Sequence, residues 1–90
     1  MFVTLDEAKK YLRVDFDDED SLITGFIESA TQLVEDTLRK DEAVFEVTDT
    51  MRVATLFAVA YLFEHRESAD MDELTRNLRY ILATEREAAF

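Results

Sequence analysis

Eleven consecutive residues, Val53-Ala-Thr-Leu-Phe-Ala-Val-Ala-Tyr-Leu-Phe63, hold one ordinary polar side chain, Thr55. An amphipathic surface helix shows polar residues at every third or fourth position, and this stretch does not. It predicts a helix that is apolar all round: either the buried centre of its domain or a surface sealed by other chains. The run spans roughly 16 Å as a helix, against roughly 30 Å for a bilayer, so it does not read as a membrane span.

What surrounds the run decides between those readings. The stretch over about 18–39 carries Leu22, Ile23, Phe26, Ile27, Ala30, Leu33, Val34 and Leu38, a 3.6-residue period sustained for five turns. It predicts a long helix over about 18–39, opened by acids and closed by Arg39-Lys40. Leu74, Leu78, Ile81 and Leu82 form a second apolar stripe, on a helix over about 71–86 capped by Asp70. These two stripes can cover the 53–63 run, which is expected to be the core of a helix over about 50–66. Gly25 falls inside the first pattern and reads as a close-packing point.

Thr4-Leu-Asp-Glu7 fits a capping box and opens a short helix over about 5–12, with Ala8, Tyr11 and Leu12 on its apolar edge. Residues 41–48 lack a helical period and favour an extended segment. There is one glycine and no proline, which argues against a many-stranded sheet. The expected fold is all-α: a small bundle of one short N-terminal helix and three main helices, the third central.

Ninety residues make one domain, which buries only about two thirds of its unfolded surface. With no cysteine there is no disulfide staple, so association with copies or a partner is a natural source of stability. No targeting signal is visible, and a soluble intracellular protein is expected.

The net charge is −11, unevenly placed. Residues 15–50 hold twelve acids against two bases, whereas residues 1–14 and 51–90 are close to balance. Such a surface repels duplex DNA and anionic lipid, which disfavours sequence-specific nucleic-acid binding and a membrane role.

No chemical motif survives inspection. An EF-hand loop starting at Asp15 would need glycine sixth and glutamate twelfth, where Asp20 and Phe26 stand. The acidic run Asp15, Asp17, Asp18, Glu19 and Asp20 therefore reads as an acid-capped helix start. His65 is the only histidine, with no zinc-ligand spacing or nucleophile motif near it. Arg76, Arg79 and Arg86 interleave with Glu73, Glu85 and Glu87, which favours a solvated or ion-paired face. No catalytic residue, cofactor or metal site is expected.

Three segments together resemble a known family. They are Val3-Thr-Leu-Asp-Glu-Ala-Lys-Lys-Tyr-Leu-Arg-Val-Asp15, then Asp18-Glu-Asp-Ser-Leu-Ile23 leading to Ala30 and Val34-Glu-Asp36, then Ala60-Tyr-Leu-Phe-Glu-His-Arg-Glu67. Their order and spacing are similar to the small phage head–tail connector proteins of the gp6-like type. The resemblance continues through Glu67-Ser-Ala-Asp70 and Leu78-Arg-Tyr-Ile-Leu82. The chain departs from many relatives in having His65 for Asn and no proline after the last helix.

The resemblance implies a non-enzymatic virion subunit that joins copies of itself in a ring of about twelve. That ring would sit at the virion neck, beneath the portal protein and above a tail-completion or stopper protein. It would be assembled in the bacterial host cytoplasm and form part of the DNA conduit. On this reading residues 1–86 are the connector domain and 87–90 a C-terminal tail. Candidate subunit or portal contacts are Glu64, His65, Arg66, Glu67, Arg86 and Phe90. Asp15, Asp17, Asp18, Glu19 and Asp20 are a candidate DNA-repelling surface. The competing reading is an acidic DNA mimic that binds a host nuclease, as antirestriction proteins do, motivated by the acidic block at 15–50.

Overall fold

A computed structural model describes residues 3–40 and 49–87. Four helices follow one another: α1 (Leu5–Leu12), α2 (Asp20–Lys40), α3 (Asp49–Glu64) and α4 (Met71–Glu87). There is no strand among the described residues. The all-α bundle expected from the hydrophobic periods is the fold observed. The extended segment expected at 41–48 lies outside the described residues.

α3 is central. It packs against α1, α2 and α4, and no other pair of helices covers it as α2 and α4 do. Ala54, Thr55, Ala58, Val59, Tyr61 and Leu62 of the apolar run are buried, and Met51 joins them one turn earlier. Thr55 is tolerated there because its hydroxyl donates to the Met51 carbonyl at 2.8 Å, which satisfies it within its own helix. The burial is not all-round: Leu56, Phe57, Ala60 and Phe63 are half-buried, and Val53, on the first turns of the helix, is 56% exposed.

The covering stripes fall where the periods place them. Ile23, Ile27, Ala30, Val34 and Leu38 of α2 are buried, as are Leu74, Leu78 and Leu82 of α4. Leu22 was expected on that stripe but is 39% exposed, because it sits a quarter turn off the Ile23–Ile27 line. Tyr11 likewise leaves the apolar edge of α1, where only Ala8 is fully enclosed.

The expectation for Gly25 is overturned. The residue is exposed, its backbone is ordinary helix, and a Cβ built on it would meet nothing within 4 Å. No neighbouring backbone inside the chain approaches it.

The helix ends follow local chemistry. In α1 the Glu7 amide donates to Thr4 Oγ1 at 3.2 Å, and the Thr4 amide donates to Glu7 Oε1 at 3.2 Å, completing the capping box. The same helix stops at Arg13, which adopts the left-handed conformation (φ 60°), and the Val14 amide closes the turn on the Lys9 carbonyl at 2.9 Å. α2 starts at Asp20 rather than 18, after a turn, and α3 ends at Glu64 rather than 66. Asp70 caps α4 by accepting the Glu73 amide on Oδ1 at 3.1 Å.

Candidate assembly surface

One end of the bundle gathers most of the sequence-predicted site residues. The left-handed turn at Arg13 reverses the chain, which brings the 15–20 connector back beside the last turn of α1. Lys9 Nζ then reaches Asp17 Oδ1 and Asp20 Oδ1, both at 2.8 Å. The Asp17 contact is a hydrogen bond; that to Asp20 is an ion pair whose angles fall short of one. The hydrogen bond that Lys9 donates to Asp17, followed by the contact with Asp20, raises the Lys9 ammonium above the usual lysine range. Lys9 in turn holds the Asp17 carboxyl below its ordinary value.

Glu19 is engaged from the other side. Arg66 donates to Glu19 Oε2 at 3.1 Å, and its guanidinium lies over the Phe63 ring, 4.9 Å from the centroid. This bridge ties the segment after α3 to the start of α2. Of the five acids of the candidate surface, Asp17, Glu19 and Asp20 are therefore held by cations of the same chain. Asp15 and Asp18 are exposed and make no ion pair with a described residue.

The Glu64-His65-Arg66-Glu67 corner lies at the same end, exposed, and together with Ser68 it lines an open recess of about 290 Å³. The His65 ring stacks on Tyr61, with centroids 4.2 Å apart and planes 18° from parallel. Its Nδ1 lies 3.0 Å from the Tyr61 carbonyl, which can only accept, so Nδ1 carries a proton there. The Tyr61 hydroxyl accepts the Asp70 amide at 3.2 Å and faces two acceptors, the Asp70 carbonyl at 3.3 Å and Glu73 Oε2 at 3.1 Å. Burial pushes the phenol pKa up. His65, Tyr61 and the α4 cap thus form a braced corner. Arg86 lies in the last turn of α4, and Phe90 falls outside the described residues.

Residue patterns missed three contributors. Lys9 sits in the last turn of α1, where a cation suits the helix dipole, and it also organises the acidic connector. Tyr61 was read as core, yet its hydroxyl positions α4. Arg52 pairs with Glu7 and fastens α1 to the first turn of α3. The Thr4 amide, and next the Arg52 guanidinium, hold the Glu7 carboxyl below its ordinary value. No linear spacing announces such contacts, because each spans two helices.

The arrangement offers recognition surfaces. At the corner the His65 imidazole is held in place by its stack on Tyr61 and by the Nδ1 contact with the Tyr61 carbonyl. Among the described residues, no three His, Asp or Glu side chains converge as a metal site, and no helix is long and apolar enough to cross a membrane.

Neither curated proteins nor solved structures yield a match to this chain. The family comparison does: the model described as phage gp6-like head-tail connector protein matches residues 2–86. That span takes in α1, the acidic connector, α2, the buried α3, the braced corner and nearly all of α4, so this chain belongs to the phage gp6-like head–tail connector protein family.

Proposed function

We propose that this protein is a ring-forming subunit of the connector between a phage capsid and its tail. The family is one of structural head–tail connectors, and the single observation that carries the reading is the match over residues 2–86. In this reading residues 1–86 are the connector domain and 87–90 a C-terminal tail. Copies of the chain, about twelve by the family resemblance, close a ring between the portal protein and a tail-completion or stopper protein. The ring assembles in the host cytoplasm and then sits at the virion neck.

The geometry supports a passive conduit. Asp15 and Asp18 are exposed carboxylates without a cation of the described chain beside them, at the same end as the exposed Glu64, Glu67 and Asp72. Carboxylates facing a channel repel the phosphate backbone within a Debye length, about 8 Å at physiological salt, so passing DNA finds no place to stick. The Glu64–Glu67 corner, braced by Tyr61, presents a rigid edge to the portal.

The DNA-mimic reading has less support at the 15–20 connector, where Lys9 and Arg66 pair with Asp17, Asp20 and Glu19, three of the twelve acids of the 15–50 block that motivates it. Native mass spectrometry of the protein, alone and with the portal protein of the same genome, tests the connector reading. Closed oligomers or a portal complex are expected. A strict monomer that ignores the portal under assembly conditions would refute it.

A further inference from the structure

We propose that the outward face of α4, carrying Arg76, Arg79 and Tyr80, docks on the outward face of α2 around Leu22, Gly25 and Glu28 of a second copy of this chain. The proposal rests on the connector reading and names the faces that would form its ring.

Tyr80 is 76% exposed, the most exposed of the large apolar side chains among the described residues, and lies one turn from Arg76 and next to Arg79. Both arginines are exposed, and neither pairs with a described residue. Tyrosine and arginine are the residue types that anchor protein contacts. An aromatic ring flanked by two cations fits a partner that offers a flat seat beside negative charge.

The outer face of α2 offers both. Gly25 weakens a helix that has no internal use for it: its backbone is ordinary and nothing lies within 4 Å of the Cβ it lacks. A glycine without a reason inside the chain suits a contact outside it, where the missing Cβ lets an aromatic ring lie flush on the backbone. Leu22 stands exposed one turn before the seat, and the exposed Glu28 stands one turn after it.

The two faces lie at the same level. The Arg66–Glu19 and Tyr61–Asp70 bonds bring the starts of α2 and α4 to one end of the bundle. At 1.5 Å per residue, Gly25 and Glu28 lie roughly 7.5 and 12 Å from the start of α2, and Arg76 and Tyr80 roughly 7.5 and 13.5 Å from the start of α4. Neighbours joined through these faces stand side by side without a step, as a closed ring requires. The faces differ from one another, so the contact is head-to-tail, the kind that closes rings by repetition.

The test is native mass spectrometry of the full chain and its variants, alone and on the portal protein of the same genome. Gly25 is exposed and a Cβ there meets nothing within 4 Å, so Gly25→Leu should melt no lower than the parent. It fills the seat, so assembled protein at equal concentration should fall by roughly tenfold or more. Glu28→Arg, and separately Arg76→Glu with Arg79→Glu, should each lose assembly, and all three substitutions in one chain should restore it. A parent that assembles while Gly25→Leu assembles equally well would overturn the face assignment and leave the connector reading standing. Loss on both charge reversals without rescue in the combined variant would overturn the pairing of these two faces. A parent that assembles neither alone nor on the portal would overturn both readings.

Discussion

Ala58→Asp tests the central position of α3. Ala58 is fully buried, with Ala54 and Leu62 one turn away on either side, also buried. A carboxyl placed there has no cation within the apolar run to pair with. Burial raises a carboxyl pKa by about 3–5 units, and each unit is about 1.36 kcal/mol, so the charged form costs about 4–7 kcal/mol at neutral pH. A domain of 90 residues has a total stability of roughly 5–13 kcal/mol. The variant should therefore stand at the edge of unfolding at pH 7. The sign of its pH dependence follows: with the folded pKa raised, the folded state binds more protons than the unfolded one, so the penalty grows as pH rises above about 4 and shrinks as pH falls. Urea denaturation followed by circular dichroism, parent against variant across that range, reads both the cost and its slope. Ala58→Ser separates charge from bulk, because its hydroxyl can bond back to the Ala54 carbonyl as Thr55 does to Met51. A variant that unfolds at the parent's urea concentration at pH 7 would show that this face of α3 meets water, and the buried-centre reading would fail.

Three further outcomes are expected. Gly25→Ala gains helix propensity in open space and should stabilise the isolated chain by about 1 kcal/mol, read as a rise of about 4–8 °C in melting temperature; a lower melting point would contradict the open site. Thr31 is buried with its hydroxyl unpartnered, so Thr31→Val should raise stability by about 1 kcal/mol in urea titration, and a loss would mean that the hydroxyl is satisfied after all. Glu7 and Asp17 titrate below their ordinary values of 4.5 and 3.8, so the stability they supply is complete above about pH 4.5 and is lost as pH falls through their folded values. Lys9→Met removes the cause at Asp17, and the gap between parent and variant should close on acidification; a gap that stays constant to about pH 2 would refute the link.

The sequence is most legible where structure depends on neighbours along the chain. Thr4 and Glu7 are three residues apart and bond each other; Asp70 and the Glu73 amide do the same. The periods of α2 and α4 predict their buried stripes because a helix turns its face regardless of what covers it. Contacts between helices leave no such mark. Glu19 and Arg66 are far apart in sequence, and only the packed bundle makes them neighbours. Gly25 misled for a related reason: its position in the helix was readable, but whether anything approached it depended on an orientation that the sequence period places only within a fraction of a turn. On the assembly surface, the acidic connector and the exposed corner were visible as residue types. What could not be read was that Lys9 and Arg66 had already claimed three of those acids.

That division of charge has a consequence for assembly. Cations committed inside the chain, Lys9, Arg52 and Arg66, clamp one element to another. Arg76 and Arg79 are left facing outward on a chain of net charge −11. Two copies side by side then experience opposed forces of different range. Net repulsion acts between bodies whose centres stand apart by about the 25 Å width of the molecule. The contact between α4 arginines and Glu28 acts at ion-pair distance. The Debye length is about 30 Å at 0.01 M salt, about 10 Å at 0.1 M and about 3 Å at 1 M. Raising salt from about 0.01 to 0.1 M therefore removes most of the long-range repulsion and leaves the short contact largely intact, whereas about 1 M weakens the contact itself. Assembly should rise and then fall with salt, a maximum that sedimentation velocity would resolve. In the Glu28→Arg variant the short contact is repulsive, so added salt should only favour association and the falling limb should vanish. A parent whose assembly climbs steadily to about 1 M salt would show that apolar burial alone joins the subunits and that the outward arginines take no part.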